Sequence, residues 1–250
     1  GVFEGTITDW DDAAIRALNP TLTLPNQNIN VVVRDDASGT TMMWTQGLSA
    51  MSASFSSRVG SDSDPSWVFI GSYVKRVRGI GVASYVRATS YSLGYVIHAD
   101  ALAMNVSVAS FKHSGSTEVV APSAESITEA VTTSGLQFGN NDDDASRLTV
   151  DITPVTTNAR AWPFTTYSYV ILRTGMNGTS ASDRLRSGAT CENVAATVAF
   201  WQWFLESDQA KNIASQYGFV PLQSEIGDLV IARMASDIYC NAERVIGSDS

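Results

Sequence analysis

The 250-residue chain has few positive charges and lacks long apolar runs. It has 16 Lys and Arg against 25 Asp and Glu, and the resulting net charge of −9 disfavours binding to nucleic acid or to an anionic membrane surface. No apolar run approaches the roughly 20 residues of a membrane-spanning helix, so we expect no membrane insertion. With 44% hydrophobic residues, the composition is that of a globular protein with a substantial core.

Candidates for metal binding or catalysis are equally sparse. His98 and His113 are isolated and stand at no metal-ligand spacing. The acidic triplet 142–144 lacks the glycine and the terminal glutamate of a calcium loop. Ser38 has no histidine at a motif spacing that would activate it as a nucleophile. We therefore predict that the protein is not an enzyme and has neither a metal site nor a cofactor.

Two cysteines, Cys191 and Cys240, flank the C-terminal region. In an extracellular protein they would form a disulfide that closes a loop of about fifty residues. In a cytosolic protein they would be free buried thiols. The sequons at Asn105 and Asn177 are compatible with N-glycosylation of a secreted protein, although such sequons often arise by chance.

The most informative stretch is a strand, a turn and a helix start in immediate succession. The apolar run 29–33 is followed by RDDASGTT at 34–41. A helix that begins at such a turn presents free backbone N–H groups at its positive end, which suits an anion. Arg34 would add a planar fork of donors, held in place by Asp36, and a carboxylate beside an anion also favours a ligand that carries a proton. The alternative is an ordinary turn in which Ser38 caps the helix.

The rest of the chain alternates predicted strands and helices. Such alternation favours a mostly parallel sheet with helices on its faces. Ligands of such sheets bind beyond the carboxyl ends of the strands, where the turn lies. We predict strands at 29–34, 93–97 and 167–173, helices at 12–18, 39–51, 73–89, 123–132, 193–205, 208–216 and 225–241, and an acidic loop at 140–145.

Phrases typical of one protein family surround the turn. Residues 2–15, VFEGTITDWDDAAI, resemble the phrase I-F-x-G-x-I-T-x-W-x-D-P-A-I, and residues 34–41 resemble R-x-D-G-S-G-T-T. Weaker matches continue almost to the end of the chain, at 79–83, 92–96, 161–172 and 217–222. By these phrases the chain resembles the periplasmic phosphate-binding protein of the bacterial phosphate ABC transporter.

The resemblance implies an α/β, periplasmic-binding-protein-like (class II) fold of two lobes with mostly parallel sheets flanked by helices. Residues 1–155 would form the second lobe with the anion-binding turn, and residues 156–250 the C-terminal half of the first lobe. The family begins with a glycine-rich G-A-G-A-[ST]-F turn that supplies half of the phosphate contacts. No such turn stands before Gly1, so we expect an incomplete first lobe.

The resemblance also implies the ligand, inorganic phosphate, bound in the cleft between the lobes, and a role for each residue of the turn. Arg34 would neutralise the charge of the phosphate, and Asp36 would orient the Arg34 side chain. Ser38 and Thr40 would donate hydroxyl and backbone N–H bonds, and Gly39 would let the backbone approach the anion.

A second hypothesis is a structural or adhesive extracellular module, repeated along a protein or filament, with an incomplete or vestigial pocket. The missing first half of the first lobe motivates it. Ala37 stands where the family has glycine, and a positive φ there would cost about 1 kcal/mol. A composite site completed by neighbouring copies of the domain or chain lies between the two hypotheses. Under either one we expect a secreted, periplasmic or cell-surface protein.

Overall fold

The computed structural model describes most of the chain, and the described residues belong to two compact units. They are residues 1–134, 148, 152, 158–173, 175–176, 188–241 and 243–245. The first unit contains 1–134, 152 and 158–166, and the second contains 148 and the described residues from 167 onward. The assignment of 1–155 and 156–250 to two lobes of a binding protein stays a prediction.

The first unit is built on a three-stranded parallel sheet in the order β2-β1-β3. Its strands are β1 (Asn30–Arg34), β2 (Tyr73–Arg76) and β3 (Ser92–Gly94). β1 lies in the centre, and the three valines at 31–33 are at most 3% exposed. A continuous apolar run is what a strand buried on both faces requires, so the prediction of a buried strand at 29–34 is confirmed.

Helices follow each of the three strands and begin at the carboxyl edge of the sheet. α2 (Gly39–Met51) follows β1, α4 (Arg78–Ala88) follows β2, and α5 (His98–Ala103) follows β3. The helix starts therefore gather where a ligand of a parallel sheet is expected. The unit also contains α1 (Ala13–Leu18), α3 (Ala53–Arg58), α6 (Ala124–Ser134) and two short 3₁₀ helices, Val2–Glu4 and Val68–Ile70.

An aromatic cluster holds α2 against one face of this sheet. Trp44 stacks on Tyr95 with ring centroids 5.6 Å apart, and Phe3 contacts both rings edge-on. Val31 and Val33 join the same cluster. On the opposite face α4 packs closely, because a Cβ on Gly94 would lie 2.7 Å from Cγ1 of Val82. The predicted α/β arrangement is thus present in the first unit.

The prediction of one helix over 73–89 is wrong at its start. Residues 73–76 form the parallel strand β2, and the helix begins only at Arg78, whose φ is +60°. A left-handed residue cannot continue a right-handed helix. The β-branched Val74 pairs in register with Val32 of β1, and this long-range pairing decides the local structure.

The second unit is mainly helical. It contains α7 (Cys191–Glu206), α8 (Asp208–Gln216) and α9 (Ser224–Asp237), with a small sheet of β4 (Gly175–Met176), β5 (Tyr239–Cys240) and β6 (Glu243–Arg244). None of the helices in the described part of the chain combines the length and the apolarity that a membrane crossing requires.

The predicted strand at 167–173 is the second local error. These residues adopt no regular strand, and Ile171 is 96% exposed. An apolar run forms a strand only where the fold places another strand beside it. The sequence of the run does not show whether such a neighbour is present. The predicted acidic loop at 140–145 lies outside the described residues.

The two cysteines are joined in a disulfide, with their Cα atoms 5.7 Å apart. It links the first residue of α7 to the last residue of β5. Cys240 also packs with Val198, Met234 and Ile238 in the core of the second unit. Of the two alternatives left open by the sequence, the structure therefore has the disulfide.

Removing this disulfide should destabilise the second unit alone. For a separation of 49 residues, the chain-entropy model gives a loss of about 4 kcal/mol in the free energy of unfolding. We expect this loss in a Cys191→Ala/Cys240→Ala variant, measured by denaturant unfolding with tryptophan fluorescence. Reduction of the unaltered protein should shift the same transition, and an unchanged transition would contradict the prediction. The first unit has no cysteine and serves as the internal control.

Candidate functional site

The predicted anion-binding turn joins the carboxyl end of β1 to the start of α2. Ser38 is the N-cap of α2: its φ is −150°, and its Oγ accepts a hydrogen bond from the Thr41 N–H at 3.3 Å. Ala37 is not among the described non-glycine residues with positive φ. The strain expected from alanine at this position therefore does not arise, and the turn forms without glycine there.

The first turn of α2 leaves backbone donors available. The Thr41 N–H is bonded to Ser38 Oγ, and the Met42 N–H is bonded to the Ser38 carbonyl at 3.0 Å. Within the described part of the chain, the N–H groups of Gly39 and Thr40 have no acceptor. A Cβ on Gly39 would meet no protein atom within 4 Å. Two N–H groups at the positive end of a 13-residue helix are thus accessible to an anion.

Arg34 and Asp36 form a bidentate ion pair beside these donors. Arg34 Nε donates to Asp36 Oδ1 at 2.9 Å, and Nη2 donates to Oδ2. The Arg34 side chain is only 11% exposed, so its charge needs such a partner. Of its five N–H bonds, three remain for a ligand.

The protonation states of this pair follow from the contacts. Hydrogen bonds from the Arg34 guanidinium, and then from the Arg78 N–H at 2.9 Å, lower the pKa of Asp36 far below its usual range. The hydrogen bond to Asp36 raises the pKa of Arg34. Both groups are therefore charged at neutral pH, and Asp36 holds the guanidinium by two hydrogen bonds.

Tyr95, just after β3, positions the turn and was not found from the sequence as a site residue. Its ring is 5% exposed, its hydroxyl accepts a hydrogen bond from the Arg34 N–H at 3.4 Å, and it lies 2.9 Å from Thr41 Oγ1. Burial raises the pKa of Tyr95, so the hydroxyl keeps its proton and can donate it to Thr41. The SLGYV phrase at 92–96 was a signal for the segment, but the role of the hydroxyl depends on the folded register.

Asp100 is a second residue near the turn that no motif indicated. A Cβ on Gly79, in the first turn of α4, would lie 2.0 Å from Asp100 Oδ2. Asp36 Oδ1 accepts the N–H of Arg78, the neighbouring residue. The start of α4 thus lies between the carboxylates of Asp36 and Asp100. The positive charge of Arg34 acts on both.

The other predicted site residues lie apart from the turn. Asn105 is exposed in a turn after α5 with φ +48°, while Asn177 lies outside the described residues. His113 Nε2 is 2.8 Å from the Ala161 carbonyl, which is a structural contact. Among the residues that the structure describes, no group of three or more His, Cys, Asp or Glu side chains is placed to hold a metal ion. The triplet 142–144 is not among them.

Comparison with known proteins gives the family. Residues 1–208 match the family model of the PBP superfamily domain. The chain belongs to the PBP superfamily. This result confirms the family resemblance that the sequence motifs indicated, and it agrees with the α/β fold of the chain.

Curated relatives are named phosphate-binding proteins. The phosphate-binding protein PstS of Xylella fastidiosa (strain 9a5c) is 33% identical over 236 residues, which are 94% of this chain and 58% of that protein. PstS of Haemophilus influenzae is 31% identical over 237 residues, covering 95% of this chain and 64% of that protein. The chain therefore spans about six tenths of the length of these curated relatives.

A solved structure shows the same fold. A high affinity periplasmic phosphate-binding protein, PfluDING, bound with phosphate, aligns with a TM-score of 0.52 at 18% identity. The alignment covers 93% of this chain and 62% of that one. The predicted periplasmic-binding-protein-like fold is confirmed.

Replacing Tyr95 with phenylalanine should loosen the turn. The variant keeps the stacked ring but leaves the Arg34 N–H and the Thr41 hydroxyl without their partner, which costs about 1–3 kcal/mol. We expect this loss in the free energy of unfolding measured with denaturant. Tyr91→Phe is the matched control, because Tyr91 is 45% exposed and its variant should stay within about 0.5 kcal/mol of the unaltered protein. Equal effects of the two substitutions would contradict the assignment.

The ion pair of Arg34 and Asp36 should make the stability of the folded protein decrease as the pH falls into the acid range. Because the pKa of Asp36 is lowered in the folded state, its ionised form stabilises the protein above the unfolded pKa of about 3.9. This contribution is lost as the pH falls below that value. The difference in melting temperature between the unaltered protein and Asp36→Asn should therefore shrink as the pH falls below about 4. In an Arg34→Ala background the pH-dependent difference should nearly vanish, and a difference that grows towards acid would contradict the pairing.

Proposed function

We propose that the chain captures inorganic phosphate at the 34–40 turn, as a PstS-like solute-binding protein. One observation carries this proposal: the free N–H groups of Gly39 and Thr40 stand beside an Arg34 guanidinium that Asp36 holds in place. The printed names of the curated relatives, which are phosphate-binding proteins, support the same ligand.

The donors suit a dehydrated tetrahedral oxyanion. The two N–H groups of α2 lie at the positive end of the helix dipole, and the three remaining N–H bonds of Arg34 form a planar fork. The hydroxyls of Ser38 and Thr40 can add donors, since Ser38 Oγ acts as an acceptor towards Thr41 and keeps its proton for a ligand. A net charge of −9 does not oppose this binding, because fixed local dipoles set the potential at the turn.

These observations favour binding over the structural or adhesive module. The turn keeps unpaired donors, and the curated relatives are named for binding phosphate. The proposal assigns capture of the anion and no bond-breaking step. A secreted, periplasmic or cell-surface location fits the disulfide and the periplasmic protein with the same fold.

Calorimetric titration of the 250-residue chain with phosphate, in buffer free of phosphate and sulfate, tests the proposal. We expect micromolar or tighter binding that Arg34→Ala weakens about 100-fold, because at least two charge-assisted hydrogen bonds are lost. Arg16→Ala is the matched control: Arg16 pairs with Asp11 and is 57% exposed, so phosphate binding should not change.

A second variant separates binding from folding. Gly39→Val adds a side chain where no protein atom lies within 4 Å, so its melting temperature should stay close to that of the unaltered chain while phosphate binding is lost. If millimolar phosphate produces neither heat nor a thermal shift in the unaltered chain, the proposal is wrong.

A further inference from the structure

Arg78 has a strained backbone at the start of α4. Its φ is +60°, which lies in the left-handed region that glycine adopts freely and other residues adopt at a steric cost. Its N–H donates to Asp36 Oδ1 at 2.9 Å, and this hydrogen bond holds the residue beside the anion-binding turn. From a strained residue at the edge of a site, a role for its side chain can be inferred.

The Arg78 side chain begins close to the turn and is not offset by the protein. The 2.9 Å hydrogen bond and an N–Cα bond of about 1.46 Å place its Cα within about 4.4 Å of Asp36 Oδ1. The residue is exposed, and in the described part of the chain its guanidinium makes no ion pair, hydrogen bond or ring contact. Its charge therefore stays within roughly one Debye length of the turn, which is about 10 Å at 0.1 M salt.

The charges at this edge of the sheet balance only when Arg78 is counted. Two carboxylates are paired: Asp36 with the guanidinium of Arg34, and Asp35 with the Lys75 ammonium at 3.5 Å. The third carboxylate belongs to Asp100, which lies beside the first turn of α4 and acts electrostatically on Arg34. Without Arg78, three negative charges would face two positive ones, and the local potential would repel an anion.

The remaining cation of this edge, Arg76, is occupied elsewhere. Its guanidinium carbon lies 4.3 Å from the centroid of the Tyr85 ring, and its Nη1 donates to the Lys75 carbonyl at 2.7 Å. Tyr85 is seven residues beyond Arg78 on α4, about 10 Å along the helix axis. Arg76 therefore does not replace Arg78 at the turn.

We propose that Arg78 is a further binding residue of the site and supplies the local positive charge with which the 34–40 turn attracts an oxyanion. This inference rests on the proposed function. Arg34 is bound to Asp36 by two hydrogen bonds, so it contributes directed donors and little net charge. Arg78 contributes net charge from a flexible side chain, and its attraction for the ligand is screened by salt.

The experiment is calorimetric titration of the 250-residue chain with phosphate at low and high sodium chloride, in buffer free of phosphate and sulfate. Arg78→Gln removes the charge, so we expect about threefold weaker binding at about 0.1 M salt. At about 1 M salt, where the Debye length is about 3 Å, the difference should fall below about 1.5-fold. Arg78→Lys keeps the charge and should bind like the unaltered chain at both salt concentrations.

Two further variants control for total charge and for folding. Arg87→Gln removes one positive charge from the exposed last turn of the same helix, about 13 Å from Arg78 along the axis, and should leave phosphate affinity unchanged. Arg78→Gly suits the left-handed backbone, so its melting temperature should be no lower than that of the unaltered chain. Its phosphate affinity should equal that of Arg78→Gln.

The possible failures are distinguishable. If the unaltered chain binds phosphate and Arg78→Gln binds it equally well at low salt, this inference alone is overturned. The same holds if Arg78→Gln weakens binding equally at both salt concentrations, because a loss that salt does not screen is structural. Absence of phosphate binding by the unaltered chain would overturn the proposed function and this inference with it.

Discussion

The hydrogen-bonded pair of Arg34 and Asp36 is the interaction on which the site depends. A guanidinium that is 11% exposed at the end of a buried strand would be costly without a partner, and Asp36 supplies one only two residues later. The same carboxylate accepts the N–H of Arg78 and so holds the residue at which α4 begins. One short-range contact thus orients the donor fork and connects the carboxyl ends of two neighbouring strands.

Much of this region could be predicted, because its signals are local. A buried run of valines identifies β1, and a serine that caps the following helix identifies the start of α2. The errors concern segments whose structure depends on distant partners. Residues 73–76 became a strand because β1 lies beside them, and residues 167–173 have strand-like composition without forming a strand. The hydrophobic periodicity of a segment indicates in which conformations it could bury its apolar side chains. Whether the segment forms a strand depends on whether a neighbouring strand is available to pair with it.

Two residues near the turn were not predicted from the sequence, and the reason is the same dependence on distant partners. Tyr95 and Asp100 lie 61 and 66 positions after Arg34 in the sequence. The parallel order β2-β1-β3 brings the segments after β3 to the carboxyl end of β1. A buried hydroxyl and a half-buried carboxylate acquire their roles only from this topology. The family phrases could assign the turn itself, whereas its supporting groups depend on which strands are neighbours.

Under the proposed function, an acidic protein with a nearly neutral ion pair at its site must recognise an anion by geometry more than by net charge. Because Asp36 offsets the charge of Arg34, the guanidinium contributes directed N–H bonds while the helix start contributes fixed dipoles. The turn also carries Asp35, whose Oδ1 lies 3.5 Å from Lys75 Nζ, so both of its acidic side chains are offset by a basic partner. The directions of these donors therefore matter more for binding an oxyanion than the net charge of −9.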